Sequence, residues 1–228
     1  GGSALDAAIA AQAMLTLVEP QSSGIGGGAL LLHWDARSQR LDAWDGRETA
    51  PAAAPPTLFL RDGAPMAFHE AAVGGRAVGV PGLLRMLEAA HRAHGVLPWG
   101  RLFEPAILAA EEGFPVSPRL AARIAEDAER LRRDPQARAD FFLPEGEPLP
   151  EGHRLRNPAL AATLRAVAEQ GADALHYGPI AGDIAATVRR GPNPGTMTTD
   201  DLAGYRPVRR QAVCGVYRAV TVCGFPPP

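Results

Sequence analysis

Four glycines in five residues, Gly24-Ile25-Gly26-Gly27-Gly28, constrain this chain more than any other segment. They follow a helical pattern and open onto an apolar run, Ala29-Leu30-Leu31-Leu32-His33-Trp34. A dinucleotide-binding fingerprint has the opposite order, leaving a strand and opening a helix. A phosphate-binding P-loop needs a Gly-Lys-Ser/Thr ending, and the chain contains no lysine at all. The same absence removes Schiff-base chemistry, which needs an amine. What remains is a tight crossing, where backbone without Cβ atoms passes close to other backbone. A border with a substrate pocket is the second reading of the loop.

The elements around the glycines follow from hydrophobic spacing. Residues 3–18 predict a helix, with Ser3 as cap, Asp6 in the favourable first turn and Pro20 as the stop. Ala4, Ala7, Ala8, Ala11 and Leu15 recur at helical spacing and predict the packed face. Residues 29–35 and 40–45 predict a hairpin turned by Arg37-Ser38-Gln39. Three consecutive leucines predict a first strand buried on both faces. Residues 57–206 read as a mostly helical middle. Its helices are expected after Pro81 as far as Gly95, over 99–112, from a Ser117 cap to about Arg133, and over 157–170, 180–190 and 200–205. Residues 207–223 return to strand formers, so strands from both ends of the chain are expected in one sheet. The organisation is thus α+β, a single unit with a strand-and-helix core from residues 1–56 and 207–228.

Charge and cysteine content exclude several classes. The formal net charge is −2, which gives no reason to expect a polyanionic partner such as a nucleic acid. No stretch approaches the ~20 apolar residues that span a bilayer. Cys214 and Cys223 flank a hairpin pattern; two buried free thiols are expected, with a bridge across the hairpin as the alternative. The compartment stays open among periplasmic, secreted and cytoplasmic.

The chemistry-bearing segment is Asp45-Gly46-Arg47-Glu48-Thr49-Ala50-Pro51. A guanidinium at the exit of a strand offers two parallel N–H donors, always charged, and matches a carboxylate. A surface arginine paired with Asp45 or Glu48 is the plain alternative. Nothing else completes a catalytic set. The six histidines are scattered, and His91 and His94, three apart on a helix, fall short of the ligands zinc requires. Glu111-Glu112 lie near a helix end, and Asp200-Asp201 sit at a helix start, where capping explains them. Ser22 and Ser23 lack the elbow of a serine nucleophile.

In order along the chain, Gly1-Gly2-Ser3-Ala4-Leu5-Asp6-Ala7-Ala8, the Pro20–Gly28 run, Asp45–Pro51, Gly79-Val80-Pro81-Gly82, Ala109–Val116, Thr199–Tyr205 and Tyr217-Arg218 with Phe225-Pro226-Pro227-Pro228 resemble the large subunit of gamma-glutamyltranspeptidases. The resemblance implies an N-terminal nucleophile hydrolase, a four-layer αββα sandwich built by two subunits. It implies that Arg47 binds the α-carboxylate of a γ-glutamyl donor such as glutathione, with Glu48 in support. The nucleophilic threonine is expected downstream, in a small subunit cut from the same precursor, with an amino acid or peptide as acceptor. No metal or other cofactor is called for, and this chain alone is expected to be inactive. Related acylases and a poly-γ-glutamate hydrolase of the same scaffold are the alternatives, together with a noncatalytic binding module.

Overall fold

A computed structural model of the chain describes every residue except Pro192 and Pro228. The described residues form two compact units, each assembled from separated stretches of sequence. The first contains residues 1–24 and 96–169, the second residues 25–95 and 170–228.

The first unit starts with the helix Ala4–Val18. Ser3 Oγ accepts the Asp6 N–H at 3.1 Å, and Asp6 returns the bond by accepting the Ser3 N–H at 2.7 Å. This reciprocal cap satisfies two donors that a helix start otherwise leaves unpaired. Asp6 is buried and also accepts the backbone N–H groups of Val96 and Leu97, at 3.2 and 3.1 Å. Burial on its own would raise its pKa. The N–H bonds from Ser3, Leu97 and Val96 outweigh that and hold the carboxyl below its ordinary value.

The buried face of this helix is not the alanine stripe that its spacing suggested. Leu5, Ile9, Ala13 and Leu17 are buried, whereas Ala4, Ala7, Ala8, Ala11 and Leu15 are exposed. Leucine and isoleucine remove more apolar area from water than alanine, at ~25 cal/mol per Å2, so the larger side chains take the core. Leu17 then packs with Ala110, Phe114, Val116, Leu120, Ile124, Leu149, Leu155 and Ala161. The helix Glu104–Glu112 ends at Gly113, whose φ of 90° lies in the region that favours glycine. Ser117 caps Pro118–Glu126 as expected, by accepting the Leu120 N–H at 3.1 Å. The single helix expected as far as Arg133 instead breaks at Asp127 and resumes as Ala128–Leu131. Asp127 leaves the helical conformation there, and its carboxylate pairs with Arg130.

The second unit is organised on a three-stranded antiparallel sheet. Its strands are β1 (Ala29–Asp35), β2 (Arg40–Gly46) and β3 (Val208–Arg210), in that spatial order. The early hairpin and a late strand therefore share one sheet, as the strand pattern predicted, with Asp45 opposite Val208. The helix Leu83–His94 packs on β2 through buried Leu83, Leu84, Met86, Leu87 and Ala90.

Strand β1 departs from expectation. Leu30, Leu32 and Trp34 are 43%, 40% and 53% exposed and alternate with half-buried neighbours, so the strand is not buried on both faces. The run of leucines belongs to a strand with one face uncovered in this chain, and the alternation is that of the pleat. Strands β4 (Val213–Tyr217) and β5 (Val220–Gly224) form a separate hairpin, with Val213, Val216, Tyr217, Val220 and Val222 exposed. Cys214 lies directly opposite Cys223 in this hairpin and the two are disulfide-bonded. The expectation of buried free thiols is thereby corrected: register puts the two side chains on the same face of adjacent strands, and that face is open.

The helices Asp173–His176, Gly178–Val188 and Thr199–Gly204 complete this unit. They enclose a core of Val80, Ala181, Ala185, Val188, Met197, Leu202 and Tyr205. Thr198 and Asp201 repeat the reciprocal cap seen at Ser3, which accounts for one of the paired acids without catalysis.

Candidate functional site

Strand β2 ends at Gly46, and Arg47 follows it directly, outside any regular element. This strand end is fixed from three sides. Asp45 accepts the Arg47 backbone N–H at 2.8 Å through one carboxylate oxygen. Its other oxygen accepts from Arg210 Nε at 2.6 Å, so β3 holds the same carboxylate that fixes the Arg47 backbone. Tyr205 donates its hydroxyl to the Arg47 carbonyl at 2.8 Å. That phenol has its pKa pushed up to about 12, by burial first and then by the nearby charges of Asp45 and Glu48. It is therefore a proton donor throughout the physiological range.

Glycines make room for these contacts. A Cβ on Gly46 would lie 2.5 Å from Met86 Cβ, and one on Gly82 would overlap the Tyr205 hydroxyl. A Cβ on Gly28 would come within 2.5 Å of Glu48 Oε2. The Gly27 carbonyl accepts the N–H groups of both Gly82 and Leu83, each at 3.0 Å, and so anchors the start of the helix that packs on β2. The close crossing expected of the whole glycine run is found at Gly28, where the acid accommodated is the neighbour of Arg47, whereas a Cβ on Gly24 or Gly26 would meet nothing within 4 Å.

The Arg47 guanidinium pairs with the Glu48 carboxylate, and the Arg47 side chain is 60% exposed. The ion pair foreseen as the plain alternative is therefore present. It does not lie on open surface, because Arg47 and Glu48 line a cleft of about 280 Å3 together with Thr49, Leu58, Phe59 and Arg76. An exposed ion pair is worth only ~0–1 kcal/mol, so Glu48 leaves the arginine available to a better-fitting anion. This arrangement can hold a small carboxylate against a charged fork while the strand end keeps that fork in place.

Three residues that support this site carry no chemical signal in their local sequence. Tyr205 closes a short helix, 158 positions from the carbonyl it holds. Arg76 and Asn193 lie in glycine- and proline-rich links that carry no periodic signal. Of the histidines, His94 stacks on His33 with ring centroids 4.1 Å apart and approaches Asp42, tying the helix to the sheet. Among the described residues no cluster of three or more histidine, cysteine or acidic side chains is placed to hold a metal ion.

Replacing Tyr205 by Phe should expose the cost of the tether. A carbonyl left without its buried donor costs ~1–3 kcal/mol. Tyr205→Phe is expected to lower the free energy of unfolding by that amount, read as a lower midpoint of chemical denaturation with an unchanged slope. An unchanged midpoint would mean that water replaces the phenol freely.

The chain matches the gamma-glutamyltranspeptidase family profile over residues 1–228. It is 39% identical over 229 residues to the glutathione hydrolase proenzyme of Bacillus subtilis strain 168, covering 100% of this chain and 38% of that relative. The crystal structure of Helicobacter pylori gamma-glutamyltranspeptidase superposes with a TM-score of 0.94 at 32% identity, over 100% of this chain and 64% of the other. The cephalosporin acylase of Bacillus halodurans gives a TM-score of 0.85 at 32% identity, over 100% of this chain and 42% of that enzyme. Among the described residues no helix is long and apolar enough to cross a membrane.

Proposed function

The chain belongs to the gamma-glutamyltranspeptidase family, and we propose that it supplies the large-subunit part of an enzyme that breaks γ-glutamyl amides such as glutathione. Its fold is that of the N-terminal nucleophile hydrolases, an α+β arrangement shared with the family's solved structures. The partner is a small subunit from the same precursor, consistent with the proenzyme form of the Bacillus subtilis relative.

The chemistry divides between the two parts. A threonine hydroxyl of the small subunit attacks the γ-carbonyl carbon, with its own α-amine as base. The C–N bond breaks, the leaving amine takes a proton, and a γ-glutamyl ester remains on the threonine. Water, or the amine of an amino acid or peptide, then attacks that ester and restores the hydroxyl. Arg47 holds the donor's α-carboxylate throughout and so fixes where the γ-carbonyl lies. Glu48 sets the resting direction of the Arg47 fork and yields it to the substrate.

The observation that carries this reading is the position of Arg47: at the wall of a cleft, on a strand end whose backbone Asp45 and Tyr205 immobilise. The test removes the substrate's group rather than the protein's. γ-Glutamyl-p-nitroanilide and 4-aminobutyryl-p-nitroanilide differ only by the α-carboxylate. A charged hydrogen bond is worth ~1.5–3 kcal/mol, so the complete enzyme should favour the first by roughly 10- to 150-fold in kcat/KM. Equal turnover of both would remove the role given to Arg47 and favour an acylase of the cephalosporin type. The present chain by itself should turn over neither.

A further inference from the structure

The cleft that Arg47 lines contains a second guanidinium, that of Arg76. Arg76 is half-buried, and no carboxylate pairs with it among the described residues. Its partners are neutral. Nε donates to Asn193 Oδ1 at 2.6 Å and Nη1 to the Leu58 carbonyl at 2.7 Å. Of the five N–H donors on a guanidinium, these use two and leave three. Glu48, an acid in the cleft lining, is already engaged by Arg47. A positive charge that is partly desolvated and unneutralised is unfavourable unless an anion completes it.

Arg76 is also held as a receptor must be. Its backbone N–H donates to the Asn193 carbonyl at 3.0 Å. Asn193 in turn donates from Nδ2 to the carbonyls of Glu70 and Val73, at 3.1 and 2.8 Å. The preceding Gly75 packs directly against the Val188 and Gly195 backbones. Phe59 and Val78 give the same cleft an apolar wall. A guanidinium fixed at backbone, Nε and one Nη loses little freedom when its remaining donors meet a carboxylate.

We propose that Arg76 is a specificity-determining residue, which receives a second carboxylate, carried by the amine partner of the γ-glutamyl group. This deepens the function proposed above and rests on Arg47 holding the first carboxylate. By microscopic reversibility the amine that leaves and the amine that accepts occupy the same place. Arg76 therefore selects both: donors whose leaving amine carries a free carboxylate, and acceptors that do the same.

The test compares two donors in the complete two-subunit enzyme. Glutathione releases an amine bearing a terminal carboxylate; γ-glutamyl-p-nitroanilide releases an uncharged one. Arg76→Gln retains hydrogen-bonding capacity toward Asn193 and Leu58 but removes the charge. It should reduce the ratio of kcat/KM values, glutathione over anilide, by about 10-fold. The preference for glycylglycine over glycylglycinamide as acceptor should fall in parallel, and Arg76→Lys should restore part of both. If both donors decline together, or neither ratio moves, Arg76 only staples its loop and the proposal is overturned. Arg47→Lys separates the two readings. Loss on both donors with that variant, beside an unmoved Arg76 ratio, overturns the second receptor alone. No loss on either donor with Arg47→Lys overturns the first as well.

Discussion

Arg47→Lys in the complete enzyme is expected to reduce kcat/KM for γ-glutamyl donors by roughly 10- to 100-fold, mostly through KM. Lysine keeps the positive charge, so a purely electrostatic role would survive the change. What it removes is the planar fork, two parallel donors that match the two oxygens of a carboxylate. The ammonium is also a shorter-reaching point charge that remains close to Glu48, with which Arg47 is already paired. Competition from that carboxylate costs a lysine more than an arginine, because a lysine has no second edge to offer. The backbone around position 47 should not change. The Arg47 N–H is held by Asp45 and its carbonyl by Tyr205, and neither contact involves the side chain. Cleavage of the precursor into two subunits is therefore expected to proceed as in the parent, and gel electrophoresis checks it directly. A variant that matures normally but binds donors poorly supports the receptor role. A variant with parental KM for γ-glutamyl-p-nitroanilide would show that the carboxylate is held elsewhere.

That Arg47 was legible from sequence and Arg76 was not has a physical basis. Arg47 follows a strand pattern immediately, and its segment is marked by a glycine, two acids and a proline within seven residues. Local chemistry announces it. Arg76 depends on Asn193, which lies 117 positions away in a link without periodicity. Only the folded chain brings the two together. The same division runs through the fold. Caps at Ser3 and Ser117 were foreseen because a cap involves residues three apart. The alanine face of the first helix and the double burial of β1 were misjudged because each depends on what lies opposite. Spacing shows that a stripe exists, but competition between stripes is decided by the area each can bury. The disulfide sits between these cases. Its two cysteines were placed on facing strands correctly, but whether they bond depends on register to a single residue, which the turn at Arg218-Ala219 sets.

Gly75→Ala is expected to be among the most damaging single-methyl additions in the second unit. A Cβ at this position would overlap the Val188 carbonyl oxygen and come within 2.9 Å of the Gly195 nitrogen. These are backbone atoms, so no side-chain rotation relieves the clash. They are also bonded to each other: the Gly195 N–H donates to the Val188 carbonyl at 2.8 Å. Accommodating the methyl means separating that pair or displacing the end of the helix Gly178–Val188, whose Val188 and Ala185 belong to the core around Tyr205. Overpacking of this kind costs ~1–3 kcal/mol, and a broken buried hydrogen bond adds ~1 kcal/mol or more. Gly182→Ala is the matched control. It lies inside the same helix, a Cβ there meets nothing within 4 Å, and it should gain ~0.5–1 kcal/mol from helix propensity. Thermal denaturation of the two variants should therefore move in opposite directions from the parent. The Gly75 variant should also shift Arg76 off its anchor, so its glutathione-to-anilide ratio should fall at temperatures where the protein is still folded. A Gly75→Ala protein as stable as the parent would mean that the Gly75, Val188 and Gly195 backbones pack less closely in solution. The rigid support assigned to Arg76 would go with that contact.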